Sequence, residues 1–169
     1  MKKVLFTFVM TLALLSAGQV AFAQYEKGDK LLNAGIGLGT YGAGGIGLGG
    51  SFEVGIHDAI SVGGLFGYSG RNYFGSRFSV LTFGARGSYH FNELLNLGDE
   101  RIDLYAGLGL GYRSITWNYS GIGSGSSWGS GVLFLGHIGG RYYFQPNIGA
   151  FAEVGSGFGT LQAGITFKF

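Results

Sequence analysis

The chain of 169 residues has no cysteine, one proline and few charges, with Asp, Glu, Lys and Arg together only 12%. Each shortage excludes something. Without cysteine, no disulfide staples the fold and no thiolate holds a metal. Soluble domains average about 25% charged residues, so this chain is poor in the groups that keep a surface wet. Beyond residue 23 there is no run of about 18 apolar residues, so no helix is expected to cross a membrane. Charge of one sign is lacking too. Setting aside Lys2 and Lys3 leaves nine bases against nine acids, which gives no support to a nucleic-acid partner.

Glycine and aromatics are abundant instead, with 36 glycines and 16% Phe, Trp and Tyr. Residues 1–23 have the parts of an export signal: Lys2 and Lys3, the apolar stretch Val4–Leu15, and Ala21-Phe22-Ala23 before the expected cleavage point. The mature chain is then 24–169, long enough for one domain.

That domain alternates with period two. The last segment is the clearest: Leu161, Ala163, Ile165, Phe167 and Phe169 interleave with Gln162, Gly164, Thr166 and Lys168. Seven others precede it, within 32–39, 46–57, 60–69, 81–91, 102–113, 132–144 and 148–156. Leu65, Leu133 and Leu135 fall on the face otherwise small or polar. An exported, charge-poor chain with one greasy face per strand and no membrane helix has a common solution. In lipid every backbone N–H and C=O must be paired internally, which leaves a closed barrel. The expected fold is therefore all-β, an eight-stranded antiparallel up-and-down transmembrane β-barrel.

The connections alternate in length. Residues 57–59 and 145–147 read as tight turns, while 69–77 and 114–131 read as long outer loops rich in Gly, Ser and aromatics. Residues 92–101 are long for a periplasmic turn, and 41–45 are short for an outer loop. Tyr89, Phe91, Tyr142, Phe144, Phe167 and Phe169 collect near one rim, and Tyr68, Tyr112, Trp117, Tyr119 and Trp128 at or beyond the other. Two aromatic girdles are what a membrane barrel carries.

Parity directs Glu53, Arg86, Asp103, Arg113, Arg141, Glu153 and Lys168 into the lumen, together with His57, His90 and His137. An unpaired buried charge is costly, so these residues are expected to form ion pairs. Distance from the 145–147 turn points to Arg141 with Glu153, and more loosely to Arg86 with Asp103 across 92–101. Eight strands leave an interior that side chains just fill, which favours a plug over a pore. The many inward glycines leave that open: they make room for large residues opposite, or they leave a watery channel.

On these features the chain resembles the small eight-stranded outer-membrane barrels, the class of the OmpA transmembrane domain and OmpX. Its glycine-rich strands look most like the barrel-domain proteins of Bacteroidetes-type bacteria. The resemblance implies a place in the outer membrane of a Gram-negative bacterium. It also implies contact with outer-membrane lipid and lipopolysaccharide, and a final strand whose Phe167 and Phe169 are read by the barrel-assembly machinery. A monomer with a structural or surface-interaction role is expected, with Trp117, Tyr119 and Trp128 as outer-loop contacts and a narrow passive pore as the alternative. Some similar barrels edit lipid A with a Ser–His–carboxylate set. Here His137 is followed by Ile138-Gly139, so the serine two residues after that histidine is missing. No catalytic, cofactor or metal residue is assigned.

Overall fold

The structure, a computed structural model, describes residues 25–40, 45–73, 76–118, 124–126 and 129–169. Among these described residues nine strands follow one another: β1 (Lys30–Thr40), β2 (Gly45–His57), β3 (Ile60–Tyr73), β4 (Ser76–His90), β5 (Ile102–Asn118), β6 (Ser124–Ser126), β7 (Gly131–Gln145), β8 (Ile148–Gly155) and β9 (Leu161–Lys168). Eight of them close a barrel. Neighbours in sequence pair antiparallel, β1 pairs with β9, and β4 pairs with β5, so no barrel strand is left as an edge. The three-residue β6 only extends the far end of β5.

Alternation does what lipid or a core would require of it. Leu108, Val132, Phe134 and Ile138 point out and are highly exposed, while their neighbours Tyr105, Leu135, His137 and Arg141 point in and are buried. The start of β1 and the end of β9 lie at one end of the barrel, here the terminal end, with the turns that follow β2, β4 and β7. The opposite, far end carries the remaining connections.

Three expectations change at the strand ends. The segment 69–77 is mostly strand: β3 and β4 stay paired until Tyr73 meets Ser76. Likewise 114–131 is partly hairpin, since β5 runs to Asn118 and β6 folds back on it. His57 does not enter the lumen. A register shift between Gly55 and His57 turns it outward, where its Nδ1 accepts from the Ala59 amide at 3.3 Å and closes the turn.

Two short segments fold into the barrel mouths. At the terminal end, residues 25–29 form a strap tied to β2 by the amide of Gly28 on the Gly55 carbonyl and that of Gly55 on the Asp29 carbonyl. At the far end the β8–β9 connection turns inward and buries Phe158. Phe158 sits where Cβ atoms on Gly49 and Gly67 would stand, so those two glycines are the seat of its ring. His137 packs in the same way over Gly107, and Tyr105 over Gly139. These inward glycines thus make room for large side chains.

Candidate functional site: a closed ionic lumen

Five of the barrel strands each contribute one charge to a chain in the lumen. Asp103 on β5, Arg141 on β7, Glu53 on β2, Arg86 on β4 and Glu153 on β8 form a chain of alternating sign, all at most 5% exposed. Arg141 Nη1 donates to Asp103 Oδ2 at 2.7 Å and its Nη2 to Glu53 Oε1 at 3.2 Å. Arg86 grips Glu153 with two parallel bonds, 3.1 and 2.8 Å, the fork geometry that suits a guanidinium. Its Nε lies 3.4 Å from Glu53, an ionic contact without hydrogen-bond alignment.

Neutral groups complete the coordination. Asn33 accepts from Arg141 Nε, the Tyr105 ring lies 4.0 Å below the Arg141 guanidinium, and Tyr105 and Gln162 both donate to Glu153. Ser61 and Ser88 both donate to Glu53 Oε2. Each serine has one proton, and a carboxylate can only accept. The proton of Ser61 therefore goes to Glu53, and His90 Nε2, 3.0 Å from Ser61 Oγ, is the donor in that contact. His90 Nδ1 faces Asp103 Oδ1 at 2.7 Å.

These partners differ from the two pairs expected. Arg141 stands opposite Phe151 on β8, and Glu153 is opposite Gly139, so the pair predicted across the 145–147 turn is out of step. Directly across β5, Arg141 meets Asp103. Arg86 then reaches across the lumen to Glu153 rather than to Asp103. Counting from a turn misses this because the strands near it are bulged, with a shift between Tyr143 and Gln145.

The other named residues lie apart from this chain. Lys168 is at the terminal mouth, 3.6 Å from Asp29 and 5.8 Å from the Tyr143 ring centre. Arg113 is on the inward face of β5 nearer the far end, level with Thr82 and Gly131. Phe169 is exposed, and its backbone exchanges hydrogen bonds with Lys30, which locks the last residue to the first strand. Trp117 is placed by its pairing with Phe78 and Gly125, whereas Tyr119 and Trp128 lie outside the described residues.

Sequence reasoning missed the strap. Tyr25 stacks on His90 with ring centres 3.5 Å apart and planes 3° apart, and its hydroxyl is 2.6 Å from the Ile60 carbonyl. Burial pushes the Tyr25 phenol above its ordinary pKa, which keeps the hydroxyl a donor. A cavity of about 350 Å³ adjoins it at the mouth, lined by Tyr25, Glu26, Lys27, Asp58, His90, Asn92 and Glu93. Only an aromatic two residues past the expected cleavage point hinted at this, and nothing in the pattern told it from a girdle residue.

Asp103, His90 and Ser61 stand in the order of a hydrolase triad. Ser61 is nonetheless fully buried, its proton is held by Glu53, and Tyr25 covers the histidine. Towards the far end the lumen changes character, with Leu65, Val80, Ile115, Leu135 and Phe158 all buried. The polar chain is thus shut between an aromatic strap and an apolar cluster.

This geometry is that of a closed eight-stranded antiparallel β-barrel, and solved structures share it. The N-terminal barrel domain of Pseudomonas aeruginosa OprF is 18% identical, with a TM-score of 0.58 over 85% of this chain and 98% of that one. A de novo designed transmembrane β-barrel is 15% identical, with a TM-score of 0.54 over 86% and 99%. Ail of Yersinia pestis, solved in complex with the heparin analogue sucrose octasulfate, is 15% identical, with a TM-score of 0.54 over 85% and 99%. No protein-family model matches the chain, and no curated relative does.

Proposed function

We propose that this chain is an integral outer-membrane protein of a Gram-negative bacterium, exported by a cleaved signal over 1–23. Its barrel is a sealed, non-conducting, monomeric anchor that presents the far-end connections to the surroundings. One observation carries the reading: the surface is inside out. Ile46, Leu48, Phe66, Leu108, Val132, Phe134 and Ile138 are exposed, while Glu53, Arg86, Asp103, Arg141 and Glu153 are buried. A soluble domain does the reverse. The lumen holds no catalytic role in this reading, because its serines are committed to Glu53.

The surface partner is anionic, lipopolysaccharide or another glycan that carries phosphate or sulfate. Arg71 and Arg77 stand in the far parts of β3 and β4, and no Asp or Glu occurs in 59–92 or 104–152. Acids gather instead at the terminal end, at Glu26, Asp29, Asp58, Glu93, Asp99 and Glu100. The sulfated ligand bound by Ail, a barrel of the same fold, is in keeping with this.

Planar-bilayer recording of refolded 24–169 tests the seal. Silence from protein shown to be folded supports the anchor. Steady, voltage-stable steps that change on Arg86→Ala would establish the narrow passive pore in its place.

A further inference from the structure

The connection 91–101 is long for a turn, and its geometry explains the length. The Leu95 amide donates to the Phe91 carbonyl, which makes one helical turn. Leu97 N–H then reaches back to the Asn92 carbonyl at 3.2 Å, and Asn96 N–H to the Glu93 carbonyl at 3.1 Å. Asn96 has φ of +46°. Together these are the two bonds and the left-handed residue of a Schellman stop, with asparagine in the place glycine usually takes. The turn is a built object rather than slack chain.

It is pinned at both ends. Asn92 is buried, donating to Asp103 and accepting from the Leu104 amide. Arg101 grips Asp99 at 2.9 and 2.8 Å and lies 5.4 Å from the Tyr142 ring centre at the barrel rim. Residues three and four apart share a helix face, so Leu94 and Leu95 follow Phe91 down one side. Phe91 belongs to the outward rim, edge-on to Tyr89 with ring centres 5.1 Å apart. Leu94 and Leu95 are 69% and 53% exposed, and Glu93, Asp99 and Glu100 neighbour them in the sequence.

We propose that this turn is an interfacial anchor, whose Leu94 and Leu95 enter the boundary between headgroups and acyl chains in the leaflet at the terminal end. The inference rests on the membrane reading above and names what the turn adds to it. The partner is lipid because the leucines continue the exposed apolar face through Phe91 and Tyr89. A short amphipathic turn with acids beside two leucines suits a surface that is apolar on one side and wet on the other. The anchor fixes how deep the terminal end sits and resists tilt of the barrel.

The test uses single tryptophans in a Trp117→Phe, Trp128→Phe background, with folded protein in phosphatidylcholine vesicles brominated at one depth. Leu94→Trp is expected to be quenched about twofold more by bromine near the carbonyls than by bromine near the chain ends, and to be shielded from acrylamide. Ile138→Trp, on the exposed strand face, is expected to show the opposite depth preference. Leu95→Trp repeats the measurement should Leu94→Trp not fold. Acrylamide quenching of both turn tryptophans without a bromine effect, alongside deep quenching of Ile138→Trp, would overturn the anchor alone. Indifference of Ile138→Trp as well would overturn the membrane reading, and the anchor with it.

Discussion

The two halves of the lumen are closed by different chemistry. Towards the terminal end a chain of five charges, the donors Ser61, Ser88, Tyr105 and Gln162, and two histidines fill the space, each group answering another. Towards the far end Leu65, Val80, Ile115, Leu135 and Phe158 pack against glycine-lined wall. The first kind of closure is specific and brittle, since removing one partner strands another in a dry place. The second is forgiving, since an apolar cluster losing volume relaxes in part and stays dry. A barrel with both is sealed twice, and the two seals are expected to fail differently.

Breaking the polar half should have the largest effect. Arg141→Ala leaves Asp103 and Glu53 short of a cation and is expected to cost about 4 kcal/mol. Urea unfolding in bilayers, read as the shift between folded and unfolded gel mobility, measures it. A loss below about 1 kcal/mol would show that water already reaches those carboxylates. Phe158→Ala, in the apolar half, is expected to cost less, about 3 kcal/mol, by emptying the seat over Gly49 and Gly67. The sharpest comparison is conductance. Neither single variant is expected to conduct, whereas the double variant is, because only then are both closures open.

The strap comes next. Tyr25→Ala removes the stack on His90 and the hydroxyl contact with Ile60, and about 2 kcal/mol is expected to go with them. Hydrogen exchange at the Gly28 and Gly55 amides, which tie the strap to β2, should quicken in that variant while the far-end strands stay protected. The smallest effect belongs to the exposed Asp99–Arg101 pair, with 58% of the arginine side chain in water. Arg101 holds the carboxyl of Asp99 down to about 2, so the pair stays ionised through the neutral range. Asp99→Asn should leave the unfolding midpoint where it is. A shift as large as that of Tyr25→Ala would mean that the 91–101 turn supports the whole terminal end.

Much of this was legible in the residues. Phe134 and Leu135 are both large and apolar, yet parity alone sends the first outward and the second inward, and the structure agrees. Parity also puts Glu53, Arg86, Asp103, Arg141 and Glu153 inside. It fails at His57, where one bulge reverses the alternation. It also could not say that Arg141 belongs to Asp103 and Glu53. Nor did it show that Tyr25, outside any strand, caps the polar half.

The division follows from range. Strand number, strand faces and the set of inward charges depend on neighbours one and two residues apart, and a period of two is written into the chain itself. Partner choice depends on stagger and on reach across the barrel, where Arg141 on β7, Glu53 on β2, Arg86 on β4 and Glu153 on β8 each come within 3.4 Å of the next. The same closure decides that Phe158 fills the space over two glycines and that a helical turn holds Leu94 and Leu95 at the rim. No local pattern encodes these distances, because they exist only once β4 has met β5 and the sheet has closed on itself.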